Sequence, residues 1–133
     1  ALENLPSWEA MPSEVEFEKL AQRVGNERLR YWHDFGHGQI RENLGFTNHL
    51  KLLERLKPFV GGFHVHDVAP PADDHLMPGL GMMDFSVFRD LVQLDVPRVI
   101  EPSRAAPPDA VTAAVEHLRQ QWEAAPAPPA ATA

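Results

Sequence analysis

The chain has 133 residues, 44% of them hydrophobic, and its 19 acidic against 12 basic side chains leave a formal charge of −7. That is enough apolar material for a core, while the acidic balance argues against nucleic acid as a partner, because a grip on phosphates rests on Lys and Arg. The absence of cysteine excludes disulfides, thiolate zinc sites and a cysteine nucleophile and fits a reducing, cytoplasmic setting, and the sequence holds neither a signal peptide nor an apolar run near the roughly 20 residues of a membrane span.

Residues 1–2 read as the end of a truncated strand. Pro12 precedes a capping-box pattern of Ser13 and Glu16, after which Phe17, Leu20, Ala21 and Val24 share one helix face until Gly25 stops the run. Residues 29–32 are a short β-prone run. Thr47 or Asn48 opens a second helix whose stripe of Leu50, Leu53 and Leu56 ends before Pro58. Residues 62–66 form the next strand. Asp84 caps a third helix with Phe85, Phe88, Leu91 and Val92 facing inward until Pro97, and residues 98–100 form the last strand. Pro107, Pro108 and Asp109 open a fourth helix in which Val111, Val115, Leu118 and Trp122 recur at helical spacing. The domain is expected to end at residue 124, leaving an Ala/Pro-rich tail, 125–133, as disordered.

The order is therefore βαβαβαβα, and a helix between each pair of strands demands parallel crossovers. A complete (β/α)₈ barrel takes about 250 residues, so four βα units amount to half of one. Such a half leaves two unpaired strand edges. An N-terminal half-barrel absent from this sequence, or a self-association partner, is expected to cover them.

Each strand tip carries a residue of metal-ligand type: Leu2-Glu3-Asn4, Tyr31-Trp32-His33-Asp34, Phe63-His64-Val65-His66-Asp67 and Val99-Ile100-Glu101. A parallel barrel gathers such tips into one site, because its active sites lie at the C-terminal ends of the strands. The tips offer carboxylates and imidazoles and no thiolate, donors that suit Mn²⁺ or Mg²⁺ and admit Co²⁺ or Zn²⁺.

These motifs, with Asp34-Phe35-Gly36-His37, the stretch from Asp74 to Phe85 and Ile100-Glu101-Pro102, resemble the xylose isomerase-like barrels up to about Gln121. That superfamily includes sugar isomerases, ketose 3-epimerases, inositol-catabolism enzymes and the family 2 apurinic endonucleases. The resemblance implies a TIM barrel, of which this chain supplies roughly the last four βα units, and a divalent metal held by Glu3, Asp34, His64 and Glu101. In the epimerase branch the metal binds two adjacent oxygens of a ketose and stabilises an enediolate, while two glutamates, here Glu3 and Glu101, move the proton. His37 would meet a substrate oxygen or a second metal. His66, two residues beyond His64 on the same side of its strand, would lie behind the ligand or face the substrate. Asp67 stands where relatives have a loop-positioning Asp.

The implied activity is a metal-dependent sugar isomerase or epimerase acting on a small ketose or polyol, with Asp73 and His75 also at the substrate. Asp73-x-His75 equally matches the spacing of zinc ligands in the endonucleases, so a zinc phosphodiesterase is the alternative, and a non-catalytic half-barrel is the third reading. Leu80 and Met82 make the Gly79–Gly81 loop apolar, which suits a small enclosed substrate better than DNA; the Gly pair lacks the following Lys of a P-loop. Trp8 and Trp32 are either a stacking wall for a sugar or packing. Met82 and Met83 read as packing between loop and helix. His33 fits no motif, His49 and His117 read as helix-surface residues, and Arg104 as either an anion contact or a solvated side chain.

Overall fold

A computed structural model describes residues 1–7, 9, 12–25 and 27–123. Trp8 and the 125–133 tail lie outside the described residues. The elements in chain order are β1 (Leu2–Glu3), α1 (Glu14–Val24), β2 (Tyr31–Asp34), α2 (Phe35–Asn43), α3 (His49–Leu56), β3 (Val60–Val65), β4 (Asp67–Ala69), β5 (Asp73–Leu76), β6 (Arg98–Ile100) and α4 (Pro108–Trp122). Strands β1, β2, β3 and β6 form one sheet in that order, every pair parallel, so the sheet is an open sector of a barrel wall.

The capping box at Ser13 forms as expected, with the Ser13 side chain accepting from Glu16 N–H and Glu16 reaching back to Ser13 N–H. Of the expected apolar face of α1 only Phe17 and Ala21 are buried, while Leu20 and Val24 are exposed. β2 starts two residues later than the β-prone run, and before it Arg28 and Leu29 N–H both bond Gly25 carbonyl. α3 begins after Asn48, whose side chain accepts from Lys51 N–H, and buries Leu52, Leu53 and Leu56.

Helix α2 was not expected, since its sequence Phe-Gly-His-Gly-Gln is poor in helix formers. Two features make it. Asp34, the last residue of β2, is also its N-cap, taking His37 N–H on its carboxylate. Its two glycines serve close packing instead of a sharp turn: a Cβ on Gly36 would sit 1.9 Å from the His66 ring, and one on Gly38 would sit 2.4 Å from the His49 ring.

The expected third helix is a single 3₁₀ turn, Phe85–Phe88. Its inward residues Phe85, Phe88, Leu91 and Val92 are buried as anticipated. Beyond this turn, side chains bond the backbone carbonyls: Gln93 bonds Arg89 O, and the Arg98 guanidinium bonds Val92 O and Leu94 O. The second unexpected feature is the antiparallel hairpin β4–β5. Its connection runs through a cis Pro70–Pro71 bond and carries none of the Asn-Gly or Asp-Gly signals of a tight hairpin.

Behind the sheet, Phe35 stacks on Phe63 at 5.5 Å and meets Phe85, Phe88 and Trp122 within 6.0 Å. Trp122 also donates its indole N–H to Phe85 O at 2.9 Å, so α4 is tied to the 3₁₀ segment as well as packed on it. Among the described residues, no helix is long and apolar enough to cross a membrane.

Candidate metal centre

Parallel register sets the site. Asp34 pairs with His64 and His64 with Val99, while Glu3 pairs with Trp32 two residues before Asp34. Glu101 follows β6 and extends its ladder by one bond, from its N–H to Val65 O at 3.1 Å. The C-terminal ends of four neighbouring strands therefore deliver Glu3, Asp34, His64 and Glu101 to one place, with one ligand atom from each lying within 4.8 Å of the others. His64 Nδ1 is central, 3.0 Å from Glu3 Oε1, 3.4 Å from Glu101 Oε2 and 3.9 Å from Asp34 Oδ2.

Asp34 is fully buried, and its two oxygens are used differently. Oδ1 accepts from His37 N–H at 2.8 Å and lies 3.0 Å from His66 Nε2. Oδ2 is buried with no hydrogen-bond partner and points into the cluster, 3.6 Å from His37 Nδ1. Burial pushes the Asp34 pKa up, but His66 and His37 outweigh it and hold the carboxyl below its usual range. A buried anionic oxygen without a donor is costly, and three carboxylates with one imidazole are the donor chemistry of a hard divalent cation. The residues present fit such an ion.

Beside this set stand His37, His66 and His75, whose ring nitrogens also converge within 4.8 Å. Their hydrogen bonds assign the tautomers. His37 Nδ1 lies 2.9 Å from the Asn4 carbonyl and must donate to it, which leaves Nε2 bare. His66 Nδ1 accepts His75 N–H at 2.9 Å, a shorter contact than its 3.3 Å approach to Asp67 O, so the proton sits on Nε2 facing Asp34. Burial opposes charge on His66, but Asp34 outweighs that and raises its pKa. His66 Nδ1 is thus committed, while its buried Nε2 faces Asp34 Oδ1 at 3.0 Å without a well-aligned hydrogen bond. His75 stacks on it at 4.3 Å with the rings 4° from parallel, adopts a left-handed backbone at φ 57°, and brings Nε2 to 4.0 Å from Glu101 Oε2. Its Nδ1 is 2.9 Å from Asp74 Oδ1.

The structure does not bring Asp73 to this group: it is exposed at the start of β5, paired through its backbone with Ala69. Trp32 lies edge-on to His64 at 5.2 Å, its ring passing where a Cβ on Gly62 would be. Arg104 is exposed in a turn. Asp67 takes the backbone N–H of Val68, Gly79, Gly81 and Met83 on its buried carboxylate, at 2.8 to 3.0 Å, and so pins the 79–83 loop. Met83 is buried beneath that loop, whereas Met82 and Leu80 are exposed.

His49 is not a surface residue but fully buried, its Nε2 2.9 Å from His33 Nε2. The missed helix α2 explains the misreading, because Gly38 makes the space the His49 ring fills. His117 is half-buried against Gly79 and Phe85. Sequence reasoning also passed over Asn4 and Asp74, whose parts rest on hydrogen bonds between distant segments.

A four-stranded parallel sector with its donors at the strand C-termini is the geometry of one side of a TIM-barrel mouth. The family model described as xylose isomerase-like TIM barrel matches residues 1–121, and the chain belongs to that family. It is 27% identical over 101 residues to an uncharacterized protein of Methanocaldococcus jannaschii, an alignment covering 75% of this chain and 37% of that protein. The apo crystal structure of the 3-keto-D-glucoside 4-epimerase YcjR from E. coli is similar in fold, with a TM-score of 0.63 at 19% identity over 90% of this chain and 44% of that one. The chain spans less than half the length of either.

Proposed function

We propose that this chain carries the metal-binding face of a sugar isomerase or epimerase that shifts a proton on carbon beside a carbonyl. The observation that carries the reading is the convergence of Glu3, Asp34, His64 and Glu101 at the sheet's C-terminal edge, with Asp34 Oδ2 buried and unpaired. Those four residues would hold a divalent cation, Mn²⁺ or Mg²⁺ by donor type, which supplies Lewis-acid polarisation of a carbonyl and its neighbouring hydroxyl.

The protein's own groups do the rest. Glu3 and Glu101 approach His64 from two different strands at 3.0 and 3.4 Å and are both partly exposed, so each is within reach of a bound sugar. One takes a proton from one face of the carbon and the other returns it to the opposite face. His37, with Nε2 bare, accepts a hydrogen bond from a substrate hydroxyl, and His75 orients the Glu101 side of the site. The acidic chain and the apolar tip at Leu80 favour a small uncharged substrate over a nucleic-acid backbone.

The test is wash-in of solvent deuterium into a panel of ketohexoses with Mg²⁺ present, read by proton NMR. Glu101→Gln is expected to slow exchange 10²- to 10⁴-fold. Exchange at the wild-type rate in that variant would remove the proton-transfer role. The rival reading, a zinc phosphodiesterase, is favoured by the convergence of His37, His66 and His75 and opposed by the acidic charge of the chain. Native mass spectrometry separates the two: one ion per site supports the isomerase or epimerase, whereas two or three zinc ions support the phosphodiesterase.

A further inference from the structure

Asn4 is 4% exposed, and both ends of its carboxamide are spent on one residue of the neighbouring strand. Its Oδ1 accepts Asp34 N–H at 2.7 Å, and its Nδ2 donates to Asp34 O at 2.9 Å. Its own carbonyl accepts from His37 Nδ1 at 2.9 Å. β1 itself is only two residues long and pairs through Leu2 and Glu3 alone. The Asn4 side chain therefore stands in for a third backbone pair of the β1–β2 ladder, at the point where Glu3 leaves one strand and Asp34 leaves the other.

We infer that Asn4 is a positioning residue for the metal centre, tying the end of β1 that carries Glu3 to Asp34 and, through its backbone carbonyl, keeping His37 in the tautomer with Nε2 bare. The inference rests on the metal-site reading above. It makes a prediction opposite in sign to simple electrostatics. Asn4→Asp adds a negative charge beside the cluster, which by Coulomb attraction alone tightens cation binding. It also replaces the amide that donates to Asp34 O with an oxygen facing an oxygen, which breaks that tie.

The experiment is a Mn²⁺ titration of the full chain followed by electron paramagnetic resonance, comparing wild type, Asn4→Asp, Asn4→Ser and Asn48→Asp. The last makes the same chemical change at an exposed helix cap that an aspartate also fills. Asn4→Asp is expected to weaken Mn²⁺ binding 10- to 100-fold, as loss of a partner that orients ligands does. Asn4→Ser, which shortens the side chain below the reach of both bonds but adds no charge, is expected to fall between, and Asn48→Asp to match wild type. A long-range proton–nitrogen spectrum of the imidazoles supplies a readout that mere destabilisation does not move: His37 protonated at Nδ1 in wild type, and a tautomer mixture in Asn4→Asp, where loss of the side-chain tie shifts the backbone carbonyl that the substitution itself leaves in place. Equal or tighter Mn²⁺ binding by folded Asn4→Asp overturns the inference; should that variant fail to fold, wild-type affinity in Asn4→Ser does so. A wild-type chain that binds no Mn²⁺ removes the metal reading itself.

Discussion

Two buried imidazoles that touch no solvent set an acid limit on this fold. His33 and His49 are each fully buried, and burial drives the His33 pKa from 6.5 down to about 3 and that of His49 well below its usual value. Their 2.9 Å contact requires one proton between them. With His33 Nδ1 near the Tyr31 hydroxyl, the arrangement that leaves only a lone pair on the unpartnered His49 Nδ1 has His49 Nε2–H donating. Both rings are neutral in the fold and become protonated in the unfolded chain below about pH 6.5. The unfolded state thus binds more protons, so stability falls as pH drops from 6.5 toward 3, with His33 alone contributing about 2 kcal/mol of loss at pH 5. His66, with its raised pKa, acts in the opposite sense, so a variant comparison isolates the pair. Replacing His49→Gln keeps a hydrogen-bond partner for His33, and denaturant midpoints between pH 7 and 5 should flatten by about one proton. An unchanged slope would mean that His49 carries its charge within the fold.

At the scale of elements, α2 joins the site to the core. A Gly→Ala change in an exposed helix normally stabilises by about 0.5–1 kcal/mol. At Gly38 the sign should reverse, because the new methyl meets the His49 ring at 2.4 Å, and the cost of such overpacking is on the order of 1–3 kcal/mol. A melting temperature that rises in Gly38→Ala would show that α3 can slide away. The same helix marks where the sequence stops being legible. The strand tips, the capping box and the α3 leucines are local signals, and each falls within two residues of where periodicity and turn chemistry put it. The four donors that the family resemblance implies do reach one point, at the C-terminal ends of neighbouring parallel strands. The unforeseen pieces depend on distant partners. Helix α2 exists because rings from residues 49 and 66 fill the space beside its glycines. The segment after the 3₁₀ turn is tied to Arg98 of β6, and the β4–β5 turn is built by prolines that otherwise signal loop.

For the molecule as a whole, the two outer strands pair on one side only, β1 with β2 and β6 with β3, among the described residues. Exposed apolar side chains occur on the elements at the two ends of the sheet order, Leu20 and Val24 on α1, Val99 on β6 and Val111 on α4, whereas α3 buries Leu52, Leu53 and Leu56. Open edges flanked by apolar faces invite pairing. Light scattering on the isolated chain is expected to show concentration-dependent association that Leu20→Lys with Val24→Lys reduces without lowering the melting temperature. Monodisperse monomer at high concentration would mean that these faces need no cover.

The four donors at residues 3, 34, 64 and 101 are contributed one per strand, about thirty positions apart along the chain. Contacts of such high sequence separation are the last to be repaid during folding, because loop-closure entropy is spent before they form. No single hairpin or helix of this protein, nor any two neighbouring strands, holds the whole set. High-affinity cation uptake should therefore lag behind the recovery of helical signal in a refolding experiment and appear only with the finished sheet, which would make the ion a reporter of complete topology.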